Sequence, residues 1–527
     1  MGMKRGSLWG KRIGGRRCHP ETRMRDAPLT DDHGRGKVTA SYTTRHDDVT
    51  AATGQPTHRD DVIAKTGYTT RRSDFIVAAG LLCLALLLGG GSPISPIQRM
   101  IVEIAGVFAL GWFFARGWHA PRSRAITTGL VLIGALVVLI VVQVIPLPPG
   151  IWRTLPGREM VISVLDVVGA GSTWLPLSLD PTATREAGYF LIPPIAMFVA
   201  TLHLDRDAQL KLILLIVAAA VVSAVLVMIQ AQGAMWLTLY DAPHATKGKG
   251  IFANKNHNAA LLVVAIPLAA MLGRSALRFA QQSTQRAVTG IVIAILALAV
   301  LGCLSRAGIA LLPIALLACV PVLGGYALVK RHWKIAVGAA AALVVAAILI
   351  AQSSIVKETL DRFGASQEGR YVFWPDVIAA IRQFMPWGSG FGTFVPVFRM
   401  SETLNAVHQT YTNHAHADFM EIALEAGVPG LLLVVAFLVW FGGTAWSRLR
   451  GRIDAPDFSP MLTAATGILL LLAASIVDYP LRTLLLACVF AVLAAILASP
   501  LRFSATSNPF GTGRDTVPRH PRRKVRL

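Results

Sequence analysis

The sequence predicts an all-α, polytopic membrane bundle of about twelve transmembrane helices with one large extramembranous loop. Three observations carry that prediction. The chain has 527 residues, of which 54% are hydrophobic and only 15% charged, where an average globular protein carries about 25% charged residues. From Phe75 to Pro500 the apolar residues run in blocks split by short polar connectors. Blocks of about 17–23 residues, rising about 1.5 Å per residue as helix, match a hydrocarbon core ~30 Å thick. Finally, Lys and Arg cluster in every second connector, the bias that marks the cytoplasmic side of a membrane protein.

Taken in order, residues 1–72 are rich in Arg, Asp, Thr, Gly and His, with almost no apolar periodicity. They read as a disordered, basic cytoplasmic tail. The stretch is too long for a signal peptide and has no apolar h-region, so the first span is expected to act as an uncleaved anchor. Residues 73–500 form the membrane-embedded domain. Its spans are predicted at 75–91, 97–115, 125–145, 186–203, 209–230, 257–273, 287–303, 307–329, 334–351, 428–446, 460–477 and 482–499. The connectors RGWHAPRSR, DRDAQLK, RSALRFAQQSTQR, KRHWK and WSRLRGR hold the clustered cations, which puts both termini in the cytoplasm. Residues 501–527 are a second basic tail. The opposite face receives loops at 146–185 and 231–256, the tight SRAG turn, and a loop at 352–427. A connection of about 75 residues is uncommon unless it is functional or disordered. This one is rich in aromatics and Gly, which argues against disorder.

Within that loop, RYVFWPDVIAAIRQFMPWG places Phe373, Trp374, Val377, Ile378, Ile381 and Phe384 at helical spacing. Two arrangements fit: an amphipathic helix lying on the membrane surface, and a loop helix packed on the bundle.

The net charge of +21 does not indicate nucleic-acid binding. It sits in the two tails and the alternating connectors, as topology and attraction to anionic lipid require. Of the five cysteines, Cys83, Cys303, Cys319 and Cys488 fall in apolar blocks and Cys18 in the first tail. None has metal-ligand or disulfide-framework spacing.

The stretch NHAHADFMEIALEAG, residues 413–427, is unusually polar for this chain. His414 and His416 are spaced i, i+2, which suits neither a helical metal site nor a finger, and His408 brings no cysteine with it. No metal is expected there. Asp205–Arg206–Asp207 matches an Asp-x-Asp pattern but sits in a short connector, where a charged loop is the simpler reading. GKGIF and GSGFGTF lack the strand–turn–helix context of phosphate loops; they read as tight turns that bring backbone close to the membrane or a ligand. Transporters need ionisable groups at mid-membrane. Here Glu103 is the main case, with Asp478 and Arg482 at a membrane edge, and no internal repeat is evident. Arg306, Arg370 and His416 all fall on one side, the non-cytoplasmic one. Arginine's planar fork suits phosphate, and a lipid-linked diphosphate at the bilayer surface would be a natural target.

Four motifs stand in order: GIFANKNHNAALL (250–262), SRAG (305–308), GRYVFWPDVIAAIRQFMPWGSGFGTF (369–394) and NHAHADFMEIALEAGVPGLLL (413–433). Their succession resembles the O-antigen ligase and O-antigen polymerase superfamily over residues 248–433. The resemblance implies a metal-independent, cofactor-free, inverting glycosyltransferase of the bacterial inner membrane with its active site on the periplasmic face. Its donor would be a glycan on undecaprenyl diphosphate, and its acceptor a glycan or lipid A–core hydroxyl. By the same resemblance Arg306 and Arg370 hold the donor diphosphate, His416 is the catalytic histidine, and Asn254 and Asn256 match the asparagines before the sixth span. Trp374, His414 and Glu421 complete the expected substrate-binding set, Glu421 and Glu425 being either structural or acceptor-facing. Ala417 departs from the pattern, standing where the family has asparagine, and this leaves His414 as a second candidate for the key histidine.

These roles are chemically coherent. Cleaving a glycosyl–diphosphate bond develops negative charge on the leaving group, which positioned arginines stabilise most in the transition state. An acceptor hydroxyl needs a base that titrates near neutrality, as histidines do. The alternative from another class is a lipid-linked glycan flippase or other permease, with no bond cleavage; a third is a non-catalytic membrane scaffold.

Overall fold

The computed structural model of the protein describes residues 70–91, 95–233, 237–240, 248–276, 281–325, 331–332, 334, 338, 370–404, 412–452 and 457–500. The two predicted tails, nearly all of the span at 334–351, the first part of the large loop, Cys18 and His408 lie outside the described residues. For Arg370 the backbone is described and the side chain is not.

Among the described residues the protein is mostly helical. The first helices are α1 (Arg72–Leu88), α2 (Pro96–Ala115) and α3 (Arg124–Val144). A short lobe follows, with a two-residue hairpin pairing Pro146–Leu147 to Leu175–Pro176 and a helix α4 (Glu159–Val167). Then come α5 (Pro181–Phe190), α6 (Ile192–His203), α7 (Arg206–Ala231), α8 (Lys255–Ala276), α9 (Gln282–Gly302) and α10 (Arg306–Val322). The chain resumes with α11 (Arg370–Phe384), α12 (Phe394–Ser401), α13 (Asp418–Leu449) and α14 (Phe458–Ala474), and a 3₁₀ turn (Pro480–Arg482) leads into α15 (Leu484–Ala498). Among the described residues, six helices are long and apolar enough to cross a membrane: α2, α3, α7, α8, α9 and α13. Shorter apolar helices stand at α10, α14 and α15.

The centre of the bundle is α8. A helix that is apolar all round belongs in an interior, and α8 is buried along nearly its whole length between α7, α9, α10 and α14. The run LLLACVFAVLAAILA makes α15 equally apolar, and it is buried against α6, α14 and α1. Starts are fixed by short polar side chains, which accept the otherwise orphaned N–H groups of a first turn. Ser123 caps α3, Asp180 caps α5 and Ser305 caps α10. Asp205 caps α7 through Oδ1 to the Ala208 N–H at 2.9 Å, while its Oδ2 accepts from the Thr70 N–H at 2.8 Å. Asp205 of the Asp-x-Asp pattern is thus a helix cap, and Asp207 stands in the first turn of the same helix. Glu103 is paired along its own helix with Arg99 at 2.7 Å, an i, i+4 contact that neutralises it locally. Cys303, Cys319 and Cys488 are buried free thiols, and Cys83 is half-buried.

A second, smaller hydrophobic core lies apart from the bundle core. It gathers Phe373, Val377 and Phe384 of α11, Phe394 and Phe398 of α12, and Leu424 of α13. The predicted helix of the large loop is therefore present, and its Phe373–Val377–Phe384 face packs on neighbouring protein; Ile378 is exposed.

The segment after α11 docks by backbone. Ser389 and Gly390 donate N–H to the carbonyls of Leu424 and Glu425, each at 2.9 Å, and the Val428 N–H donates to Pro386 O at 2.8 Å. The approach is close enough to require glycine on both sides. A Cβ on Gly427 would sit 2.2 Å from Pro386 O, and one on Gly388 would sit 2.6 Å from the Glu425 carbonyl. Gly427 also takes φ 56°, ψ −146°, breaking α13 into an upper piece and a long apolar piece; this backbone region is essentially restricted to glycine. The GSGFG turn thus brings backbone close to backbone.

Candidate active site

Three segments meet at one end of the bundle: the first turn of α8, the stretch 413–425 leading into and along upper α13, and the link 475–482 between α14 and α15. At the start of α8, Asn254 Oδ1 accepts the Asn256 N–H at 2.9 Å, a helix cap of the usual kind. Asn254 also hydrogen-bonds Tyr479. One turn on, Asn258 is fully buried and bonds Ser223, the Gly248 carbonyl and Cys303. The glycines of GKGIF lie against these same elements.

Tyr479 is the hub. Its ring meets three imidazoles: His414 at 4.1 Å, His257 edge-on at 4.7 Å and His416 edge-on at 5.0 Å between centroids. Burial raises the Tyr479 hydroxyl above its ordinary pKa, and the adjacent Asp478 carboxylate adds to the effect. The hydroxyl therefore stays protonated near neutrality and serves as a hydrogen-bonding group, not a base.

Each histidine of the NHAHAD stretch has a carboxylate on Nδ1. His414 Nδ1 lies 2.8 Å from Glu421 Oε1, and Glu421 Oε2 accepts the Ala415 N–H at 3.0 Å. His416 Nδ1 lies 3.3 Å from Asp478 Oδ1, a carboxylate that His257 Nε2 also approaches at 4.0 Å. A carboxylate at one ring nitrogen fixes tautomer and orientation. The His416 side chain is 24% exposed and that of His414 16%. His416 has φ +52°, and among the described residues the other non-glycine residue with positive φ is Leu304, directly before the SRAG turn. Such backbone is costly for an L-residue and gathers at functional sites.

Beneath the histidines lies a buried ion cluster. Arg482 reaches Glu421 Oε1 and Glu425 Oε2 at 3.0 Å each and Asp418 Oδ1 at 3.4 Å. These carboxylates are spaced i, i+3 and i+7 along α13, which places them on one face. Ala417 has no side chain to cap α13. The Asp418 N–H instead donates to the carbonyls of Ser475 at 3.0 Å and Asp478 at 3.3 Å, so the link 475–482 supplies the cap.

Of the residues singled out from sequence, direct contacts bring together Asn254, His414, His416, Glu421 and Trp374, whose Nε1 donates to Ala415 O at 2.9 Å. Asn256 joins through its backbone. Arg306 opens α10 and is exposed; Gly308, two residues on, lies against Ala259, just past the first turn of α8. Arg370 opens α11, one turn before Phe373, whose ring lies 6.3 Å from that of His416. The sequence reading assigned no role to His257, Asp478, Tyr479 or Arg482. The available signal was charge at a membrane edge, in Asp478 and Arg482, where ionisable groups are costly and need partners. Among the described residues, no group of His, Cys, Asp and Glu could hold a metal ion.

No curated protein matches the chain. A family model described as O-antigen ligase matches residues 291–435, a segment that runs from within α9 through the SRAG turn and the NHAHAD stretch into lower α13. It begins after the α8 motif and ends before the Asp478–Arg482 link. This match supports the chain's membership of the O-antigen ligase superfamily.

Proposed function

We propose that this protein is an inverting, metal-independent glycosyltransferase of the bacterial inner membrane, moving a glycan from undecaprenyl diphosphate to an acceptor hydroxyl at the periplasmic face. Ligation onto lipid A–core and polymerisation of a polysaccharide are the two favoured forms of this reaction, transfer to a protein being a third. The observation that carries the reading is His416, held at positive φ against Asp478 inside the stretch the family model matches.

In this reading Asp478 orients the His416 ring through Nδ1, and Nε2 takes the proton from the acceptor hydroxyl. The acceptor oxygen forms the new bond to the anomeric carbon as the bond from that carbon to the phosphate oxygen breaks. Undecaprenyl diphosphate leaves with the electron pair. Arg306 and Arg370 bind the diphosphate and stabilise the charge it gains. Trp374, Asn254 and Asn256 line the approach. His414 and Glu421 hold the turn that carries His416, with Tyr479 packed between the imidazoles.

The test is incubation of purified protein with a lipid-linked repeat unit, with and without a lipid A–core acceptor. A ladder of longer lipid-linked products identifies a polymerase, and transfer to the core identifies a ligase. His416→Ala, Arg306→Ala and Arg370→Ala should each abolish either product, and EDTA should leave the rate unchanged. Absence of turnover with both acceptors, in a sample shown to be folded, would overturn the proposal in favour of a permease.

A further inference from the structure

The lobe between α3 and α5 carries an apolar stripe that the fold leaves uncovered. Met160, Val164, Val167 and Val168 recur at i, i+4, i+7 and i+8, one face of α4 and the residue that ends it. All four are more than half exposed, Val167 at 87%. Val161, Ile162 and Leu165 turn the half-buried side of the helix to the lobe, and Glu159, Ser163 and Asp166 form an exposed polar side. Trp174 of the same lobe is also exposed.

The lobe is firmly built. Trp152 is fully buried and donates from Nε1 to Thr173 O at 2.9 Å. Arg153 clasps both oxygens of Asp166 at 2.8 and 2.7 Å, and Arg158 bonds the Leu177 carbonyl. Both ends of the lobe return to the end of α3: the hairpin begins two residues after that helix, and the Ser178 N–H donates to Gln143 O at 2.9 Å. That helix is long and apolar enough to span a bilayer; its last turn exposes Val141 and Val142, and Ile145 just after it is exposed too. The stripe is therefore tethered at the level where a spanning helix leaves the hydrocarbon. The lobe also touches the candidate-site region, with Gly157 against Phe384 and the Leu179 N–H donating to Ser389 O at 2.8 Å.

We propose that α4 lies in the headgroup–acyl boundary of the bilayer, its Met160–Val164–Val167–Val168 stripe in lipid and its Glu159–Ser163–Asp166 side in water. An amphipathic helix with an apolar stripe, a polar side and a nearby tryptophan suits that boundary. The sequence favoured α11 for such a position no more than packing on protein. The aromatic face of α11 is occupied by protein, whereas the stripe of α4 is open. The lobe borders the candidate site and would hold it against the membrane surface. This inference does not depend on glycosyl transfer.

The test uses full-length protein in lipid nanodiscs holding one copy each. Val164→Cys and Val167→Cys carry the environment-sensitive fluorophore NBD, Ser163→Cys is the polar-side control, and the parent chain labelled alike corrects for native cysteines. Labels at 164 and 167 should emit at shorter wavelength and be quenched several-fold more by lipids spin-labelled at the headgroup or upper acyl chain than by aqueous iodide. The label at 163 should show the reverse. Iodide quenching at all three positions with no effect of spin-labelled lipid would overturn the proposal, because the stripe would then face water. Protection from both quenchers would also overturn it, showing protein over the stripe; discs holding two copies would reveal whether that protein is a second copy.

Discussion

Replacing Arg482 by methionine, similar in length and uncharged, tests what holds the candidate site together. Arg482 sits within 3.0, 3.0 and 3.4 Å of Glu421, Glu425 and Asp418. At an effective dielectric of about 20 each contact is worth roughly 5 kcal/mol of direct attraction, most of it offset by the cost of taking the ions out of water. Deleting the cation exposes that cost. The Glu421 and Glu425 side chains are 1% and 0% exposed, and removing one partner of a buried ion pair typically costs about 3–5 kcal/mol. The assay is thermal unfolding in detergent with a thiol-reactive fluorophore, since the buried Cys303, Cys319 and Cys488 react only as the bundle opens. Arg482→Met should lower the unfolding midpoint strongly. Changing Glu421 and Glu425 to glutamine in the same chain should recover much of the loss, because two of the three buried carboxylates, the two nearest Arg482, then carry no charge while an acceptor oxygen remains for the Ala415 N–H. A midpoint equal to that of the parent, or a loss untouched by the two glutamines, would refute the reasoning.

Asp478→Asn should leave the fold and the apparent KM near those of the parent and lower kcat by about 10²-fold or more, the scale of a misoriented general base; kinetics of glycan transfer with purified protein check this. Gly427→Ala places a methyl group 2.2 Å from Pro386 O at a φ of 56°, and should destabilise by at least about 2 kcal/mol, read in the thiol assay and in membrane yield. Asn254→Ala removes the cap of α8 and should cost about 1 kcal/mol, whereas Asn254→Asp, which keeps the capping oxygen, should restore most of it.

The six helices long and apolar enough to cross a membrane among the described residues were legible because bilayer-length apolar blocks leave little else to form. Asn254, Trp374 and His416, which contacts gather at one end of the bundle, were singled out because their motifs stand in a recognisable order along the chain. Their partners were not. Asp478 lies 62 residues from His416, and no periodicity links them; only the folding of α14 and α15 back against α13 brings the link 475–482 under the NHAHAD stretch. The carboxylates of upper α13 illustrate the same limit. Helical spacing places Asp418, Glu421 and Glu425 on one face, yet it does not reveal that Arg482, at the edge of an apolar block, is what that face meets. The loop helix at 370–384 shows the converse. Its amphipathic pattern was plain, but whether lipid or protein covers an apolar face depends on neighbours that sequence spacing does not name.

The link 475–482 serves two purposes from four residues of separation. Asp478 holds His416, and Arg482 neutralises the carboxylates that anchor the turn bearing His416, because Glu421 binds both His414 and the Ala415 N–H. The positive φ of His416 persists only if its surroundings over-determine it. They do so from both sides: Ala415 is tied to Glu421, and the Asp418 N–H is tied to the Ser475 and Asp478 carbonyls. Loss of Arg482 should therefore damage stability and catalysis together, while loss of the Asp478 carboxylate should damage catalysis alone, since the backbone carbonyl of Asp478 remains to cap α13. Were Asp478→Asn to destabilise the bundle as much as Arg482→Met, the division of labour along this link would be wrong, and Asp478 would belong to the ion cluster and not to the histidine proposed as the base.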